Sequence, residues 1–196
     1  MGLARRMHRR AHPAYVAFVL VTAVVAFGGC DDDDDSSGNG AQQVTPGVFV
    51  AQVGNSYLAL VTDGQRLTGA YLCNSENVSS WIQPAPLEGG TAKLVARRGD
   101  DLGQASFAGA SASGEVILAG GSQSFSAELA KGKAGLFRTT SGESNQPGFS
   151  ETGWIVLADG STCGTTTTLT QGGAKVAPAP SNPKGQIKNY ADPFPF

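Results

Sequence analysis

Val48-Phe49-Val50-Ala51-Gln52-Val53-Gly54-Asn55-Ser56-Tyr57-Leu58-Ala59-Leu60-Val61-Thr62 decides the fold. Two runs rich in β-branched and aromatic residues, Val48–Val53 and Tyr57–Thr62, flank Gly54-Asn55, which suits the tight turn of a β-hairpin. The second run, Tyr57–Val61, is apolar at every position, so both of its faces require cover and it belongs at the centre of a sheet. Further along, Phe125, Ala127 and Leu129 alternate with Ser124, Ser126 and Glu128. That period of two gives one buried and one wet face.

The same pattern extends in both directions. Asp63-Gly64 turns the chain into Arg66–Cys73, and Glu88-Gly89-Gly90 precedes Ala92–Arg98. Gly99–Gly103 leads into Gln104–Ala108, Ser113-Gly114 into Glu115–Leu118, and Gly120-Gly121 into Gln123–Leu129. Asp159-Gly160 joins Trp154–Ala158 to Cys163–Thr170. Turns therefore recur roughly every 8–12 residues, the spacing of a sandwich or small barrel. The best helical window, Ser126–Lys133, is cut short by Gly132. The expectation is an all-β fold: one antiparallel meander of about eight to ten strands over residues 44–172, built as a small barrel or a two-sheet sandwich. Residues 173–196, with Pro178, Pro180, Pro183, Pro193 and Pro195, are expected to form a disordered tail. Phe194 and Phe196 near its end are candidates for docking.

The N-terminus has a different character. Arg5, Arg6, Arg9 and Arg10 precede an apolar run, Ala14–Phe27, broken only by Thr22. Fourteen residues suit a secretory signal and fall short of the about 20 that a membrane-spanning helix needs. No further match follows either Arg pair, which favours the general secretory route over a twin-arginine one. The run ends in Phe27-Gly28-Gly29-Cys30, which resembles the lipobox of bacterial lipoproteins, with Phe27 where that family usually has Leu. The resemblance implies cleavage of residues 1–29, a diacylglycerol thioether on Cys30, and a membrane as partner through that lipid. Asp31–Asp35 and the Ser/Gly residues after them repel and flex, which suits a solvated tether over residues 30–43. An Asp after the lipidated cysteine also resembles an inner-membrane retention signal of bacteria with two membranes.

Composition then narrows the chemistry. Without residues 1–29 the chain has ten basic and sixteen acidic residues, net −6, and −1 without the five-Asp run. No basic stripe is available for nucleic acid. Arg98-Gly99-Asp100 reads as a turn after a strand. Both histidines, His8 and His12, lie in the removed segment. The mature chain therefore lacks the imidazole of Ser-His-Asp and Cys-His catalysis and of His-bearing zinc sites. No cofactor or metal motif is present. Two cysteines, Cys73 and Cys163, remain beside Cys30; an even number in an exported chain favours a disulfide over two buried thiols, and without C-x-x-C spacing a redox-active pair ranks third.

Glu76, Glu88, Glu115, Glu128 and Asp159 are candidate carboxylates for a hydrolase, and Lys131 and Lys133 could neighbour a serine. No G-x-S-x-G elbow follows a strand. Among the large aromatics, Trp154 sits in apolar surroundings and reads as core. Trp81, between Ser79-Ser80 and Gln83-Pro84, is the candidate exposed contact residue. Gly114–Leu118, Phe125–Glu128, Ala134–Arg138 and Gly153–Leu157 together resemble a pattern in exported β-rich proteins of high-GC bacteria, which supports the fold and carries no activity. Three readings follow. The first is an anchored, non-enzymatic domain that binds a cell-wall, polysaccharide or protein partner. The second is a barrel carrying a lipid or small apolar ligand. The third is a carboxylate hydrolase.

Overall fold

A computed structural model describes residues 43–74 and 78–187. The expected signal segment, Cys30, the acidic stretch, Glu76, Phe194 and Phe196 lie outside the described residues. The fold is all-β and antiparallel. Among the described residues thirteen strands run β1 (Gly47–Val53), β2 (Ser56–Thr62), β3 (Arg66–Asn74), β4 (Ser79–Ile82), β5 (Ala85–Pro86), β6 (Thr91–Val95), β7 (Asp101–Ala108), β8 (Ser111–Leu118), β9 (Gly121–Leu129), β10 (Gly135–Ser141), β11 (Ser150–Val156), β12 (Thr162–Thr170) and β13 (Gly173–Pro178). Short strands in turn-rich sequence, β4 and β5, take the count past the eight to ten expected, as do β10 and β13. Ser126–Leu129, in the best helical window, is the end of β9, and Gly132 opens the turn that follows with φ +64°.

The first nine strands form one sheet in the order β4-β3-β2-β1-β9-β8-β7-β6, with β5 also paired to β3. The sheet curls until its two ends almost meet. Ile82 bridges Ala96, Gln83 N–H donates to the Val95 carbonyl at 2.8 Å, and Arg97 N–H donates to the Trp81 carbonyl at 2.8 Å. Such closure removes most of the open edge that a flat sheet would leave. One side chain in two along these strands points inward. Phe49, Leu58, Leu60, Leu67, Leu94, Phe107, Val116 and Phe125 fill the interior, with Phe49 and Phe107 edge to face at 5.5 Å. The barrel is therefore packed with side chains.

The remaining four strands form a second sheet, β10-β11-β12-β13. Its position follows from the two apolar faces of β2. Leu58 and Leu60 belong to the barrel interior, whereas Ala59 and Val61 face outward with Val48, Tyr71 and Cys73. Leu136, Ile155, Cys163 and Ile187 from the second sheet and the segment after it cover that outer face. Cys73 on β3 and Cys163 on β12 are joined in a disulfide, with Cα atoms 6.1 Å apart. The barrel is thus covered on its β1–β4 side. Across β7–β9, Gln104, Ser106, Ser113, Glu115, Ser124, Ser126 and Glu128 leave a wet, small-residue face.

The expected boundary at residue 172 and the disordered tail from 173 need correction. Gly173–Pro178 forms β13 and pairs with Thr165–Thr170 of β12. Proline is tolerated there because β13 is an edge strand, and Pro178 is its last residue. The chain then crosses the outer face of the second sheet. Ala179 N–H donates to the Gly164 carbonyl at 3.0 Å, and Trp154 Nε1 donates to the Pro180 carbonyl at 2.7 Å. It ends beside β10, where Arg138 N–H donates to the Gly185 carbonyl at 2.9 Å and Ile187 N–H to the Leu136 carbonyl at 2.8 Å. Residues 179–187 are therefore a strap from one edge of the sheet to the other.

The disulfide closes 90 residues of chain and ties the second sheet to the barrel. On the chain-entropy account, its loss in a Cys73→Ala/Cys163→Ala chain should lower the unfolding free energy by about 4–5 kcal/mol. Urea titrations of the wild type, the double variant and the reduced wild type measure it. Coincident curves would mean that the bridge contributes nothing to the sheet-on-barrel packing.

Candidate functional site

The inner face of the second sheet changes character along its length. At one end Ile155, Cys163 and Leu136 pack on the barrel. Two residues on from Ile155 stands Gly153, and here any side chain would collide with the barrel. A Cβ on Gly153 would lie 2.8 Å from the Tyr71 ring and 2.9 Å from the Trp81 ring. Glycine lets both rings rest directly on the β11 backbone. Trp81 stacks on Tyr71 with ring centroids 4.4 Å apart, and the Arg138 guanidinium sits 5.8 Å above the Trp81 ring. Trp81, expected from its polar neighbours to be an exposed contact residue, is half-buried between the sheets. The error has a physical source: β4 is the strand that seals the barrel, so its neighbours in sequence are not its neighbours in space.

The Tyr71 hydroxyl shares a hydrogen bond with Thr165 Oγ1 at 2.8 Å, and Ser79 Oγ meets the same Thr165 oxygen at 2.6 Å. Burial pushes the Tyr71 phenol above its ordinary pKa, and these hydroxyl contacts act in the opposite sense. Three polar side chains from β3, β4 and β12 thereby satisfy one another in the space between the sheets.

Another two residues along β11 is Glu151, whose side chain is 6% exposed. Arg138 Nε from β10 donates to its Oε1 at 2.7 Å. An Arg97 Nη from the turn after β6 donates to its Oε2 at 3.1 Å. One carboxylate is thus held by a guanidinium from each sheet. Around it opens a cleft of about 260 Å³, lined by Arg97, Ser144, Asn145, Phe149, Glu151, Thr167 and Leu169. The strand period explains the lining. Phe149, Glu151 and Gly153 share a face, as do Thr165, Thr167 and Leu169 on the neighbouring strand, with Glu151 opposite Thr167.

The β10–β11 connection forms the rim. Its turns are closed by Gln146 N–H to the Glu143 carbonyl at 3.2 Å and Phe149 N–H to the Gln146 carbonyl at 3.0 Å. Gly148 N–H and Leu169 N–H extend the ladder to β12 with bonds of 2.8 Å each. Asn145 takes φ +66°, which is unique among the described residues other than glycine. Asparagine reaches that left-handed region more readily than other side chains, and here it stands on the lip of the cleft.

No protein-family model, no curated protein and no solved structure matches this chain. The site must be judged on its own geometry. The candidate carboxylates on the described residues are dispersed and exposed. Glu128 pairs with Ser111, whereas Glu115 lies four residues further along β8, a separation of about 13 Å at the rise of a strand. Asp159 serves its own turn: Ser161 hydroxyl and N–H both donate to it and hold its pKa below the ordinary value. Lys131 and Lys133 project from the turn before β10. Trp154, read as core, is buried beneath the strap.

Glu151, Arg97 and Arg138 were not singled out as a group from sequence. Glu151 lies between Ser150 and Thr152, beside a loop rich in polar residues, and nothing local marks it as buried. Arg97 reads as part of the strand-like run Ala92–Arg98, and Arg138 belongs to the run Ala134–Arg138. Their meeting depends on the second sheet lying across β3 and β4, a long-range fact.

The two guanidiniums differ in burial, and their removal should differ in effect. Glu151→Gln strips the counter-charge from Arg138, whose side chain is 16% exposed. It should lower stability by about 3 kcal/mol, as for other broken buried pairs. Arg97→Ala acts on a side chain 39% exposed, for which loss of under about 1 kcal/mol is expected. Thermal or urea unfolding of the two variants gives the ranking, and equal losses would contradict a buried Arg138–Glu151 bond as the stronger member.

Proposed function

We propose that the chain is a membrane-anchored lipoprotein whose β domain binds a partner outside the cytoplasm, without catalysing a reaction. Support for the anchor comes from the arginines, the apolar run and Phe27-Gly28-Gly29-Cys30. Support for binding comes chiefly from one observation: the cleft beside Glu151, whose polar and apolar walls are supplied by a stable two-sheet scaffold. Ligand sites commonly combine a few fixed polar groups with apolar surface in this way.

The packed barrel weighs against the carrier reading. An acyl chain would have to displace packed side chains, since the interior residues from Phe49 to Ala127 are almost fully buried. A second cleft, lined by Gly54, Asn55, Ser56, Asn74, Leu118, Ala119, Gly120 and Gln123, sits at turns at the barrel's end and is largely polar.

Two measurements test the proposal. Replacement of Cys30 by Ala should move the protein from the membrane fraction to the soluble fraction on cell fractionation, because the lipid would have no attachment point. A variant still held in the membrane would remove the lipid anchor from the account. Hydrogen exchange of the full-length protein with and without solubilised envelope material should show added protection over residues 142–151 and 165–170. Protection confined to other segments, or none with any envelope fraction, would overturn the cleft as the binding site.

A further inference from the structure

The cleft's chemistry is informative about what it would hold. Its groups are mixed in hydrogen-bonding sense. Arg97 can only donate, the Glu151 carboxylate can only accept, and Asn145, Ser144 and Thr167 do both. The carboxylate and the guanidinium stand side by side at 3.1 Å, so acceptor and donor are presented together. Vicinal hydroxyls of a sugar, each both donor and acceptor, match such a pair. Phe149 and Leu169 supply an apolar wall on the same face, suited to the C–H face of a pyranose ring.

Other ligand classes fit less well. A free anion would have to compete with the buried Glu151 carboxylate for guanidiniums already bonded to it at 2.7 and 3.1 Å, and displacing that carboxylate from its partners is unfavourable. An acyl chain would leave the polar groups unmatched. At about 260 Å³ the space falls just below the about 300–1,000 Å³ of drug-sized sites, so it takes a unit of ring size with neighbours lying outside. We infer that the cleft between Phe149, Asn145 and the Arg97–Glu151 pair holds one ring of a neutral polysaccharide. This inference rests on the binding function proposed above and names its ligand class.

The scaffold allows substitutions that remove contact without removing the clamp. Phe149→Ala deletes the wall. Asn145→Gly deletes the amide while keeping φ +66°, which glycine adopts freely. Thr167→Val deletes one hydroxyl at nearly constant shape. None of the three removes Glu151, Arg97 or Arg138.

Full-length protein, purified in a detergent without a sugar headgroup, would be titrated calorimetrically with neutral hexose and N-acetylhexosamine tetramers. Matched tetramers bearing uronic acids would be run alongside. Saturable binding of at least one neutral tetramer is expected, weakened about ten-fold by Phe149→Ala and measurably by Asn145→Gly, with melting temperatures unchanged. Tighter binding of the uronic tetramers would overturn neutrality. Neutral binding that survives all three substitutions would overturn the site. If envelope material protects the cleft from exchange and no tetramer binds or competes, the ligand class is wrong and the binding function stands. If neither occurs, both fall together.

Discussion

The structure depends on a wall of strands with two apolar faces. β2 and its neighbour β3 supply Leu58, Leu60, Leu67 and Leu72 to the barrel interior, and Ala59, Val61, Tyr71 and Cys73 to the opposite side. An apolar outer face of that size cannot face water without loss of about 25 cal/mol for each Å² exposed. The second sheet removes it from water. Everything else about the arrangement is secondary to that contact: the disulfide ties the two layers, and Gly153 allows the rings of Tyr71 and Trp81 to lie flush against β11. The polar clamp of Glu151 forms where the apolar overlap ends.

The barrel and the second sheet divide their tasks accordingly. The barrel is filled and has little room for a guest, while the β11–β12 pair extends past the barrel's cover and carries the cleft. Loop, strand and turn each contribute one kind of group there: Asn145 from the connection, Phe149 and Thr167 from the ladder, Arg97 from the barrel's closing turn. A rigid scaffold that supports a polar rim is the ordinary arrangement of a recognition site.

Much of the architecture was legible in sequence because its signals are local. The Gly54-Asn55 hairpin, the alternation in β9 and the apolar β2 all report on neighbours within ten residues. β4 and β5 escaped because two to four residues between prolines and serines carry too little periodicity. β13 escaped for another reason: its one proline, Pro178, and those that follow argue against a central strand but not against an edge. The site was least legible. The polar sequence neighbours of Trp81 suggest a surface position, and nothing near Glu151 sets it apart from a solvated acid. Both positions depend on distant partners, Trp81 on Gly153 and Glu151 on Arg97. No window along the chain contains that information.

The strap over the second sheet bears on the order in which the molecule can be completed. Its residues, 179–187, follow every described strand and occupy the flank of β10, which lies some forty residues earlier. Until they arrive, β10 offers unpaired N–H and C=O groups along Leu136–Arg138 and the Trp154 indole lacks its carbonyl partner. The finished strap shields that flank, while Lys175 and the terminal Pro178 blunt β13 on the opposite side. During emergence of the chain, then, the flank of β10 stays open to strand pairing until residues 179–187 have followed it.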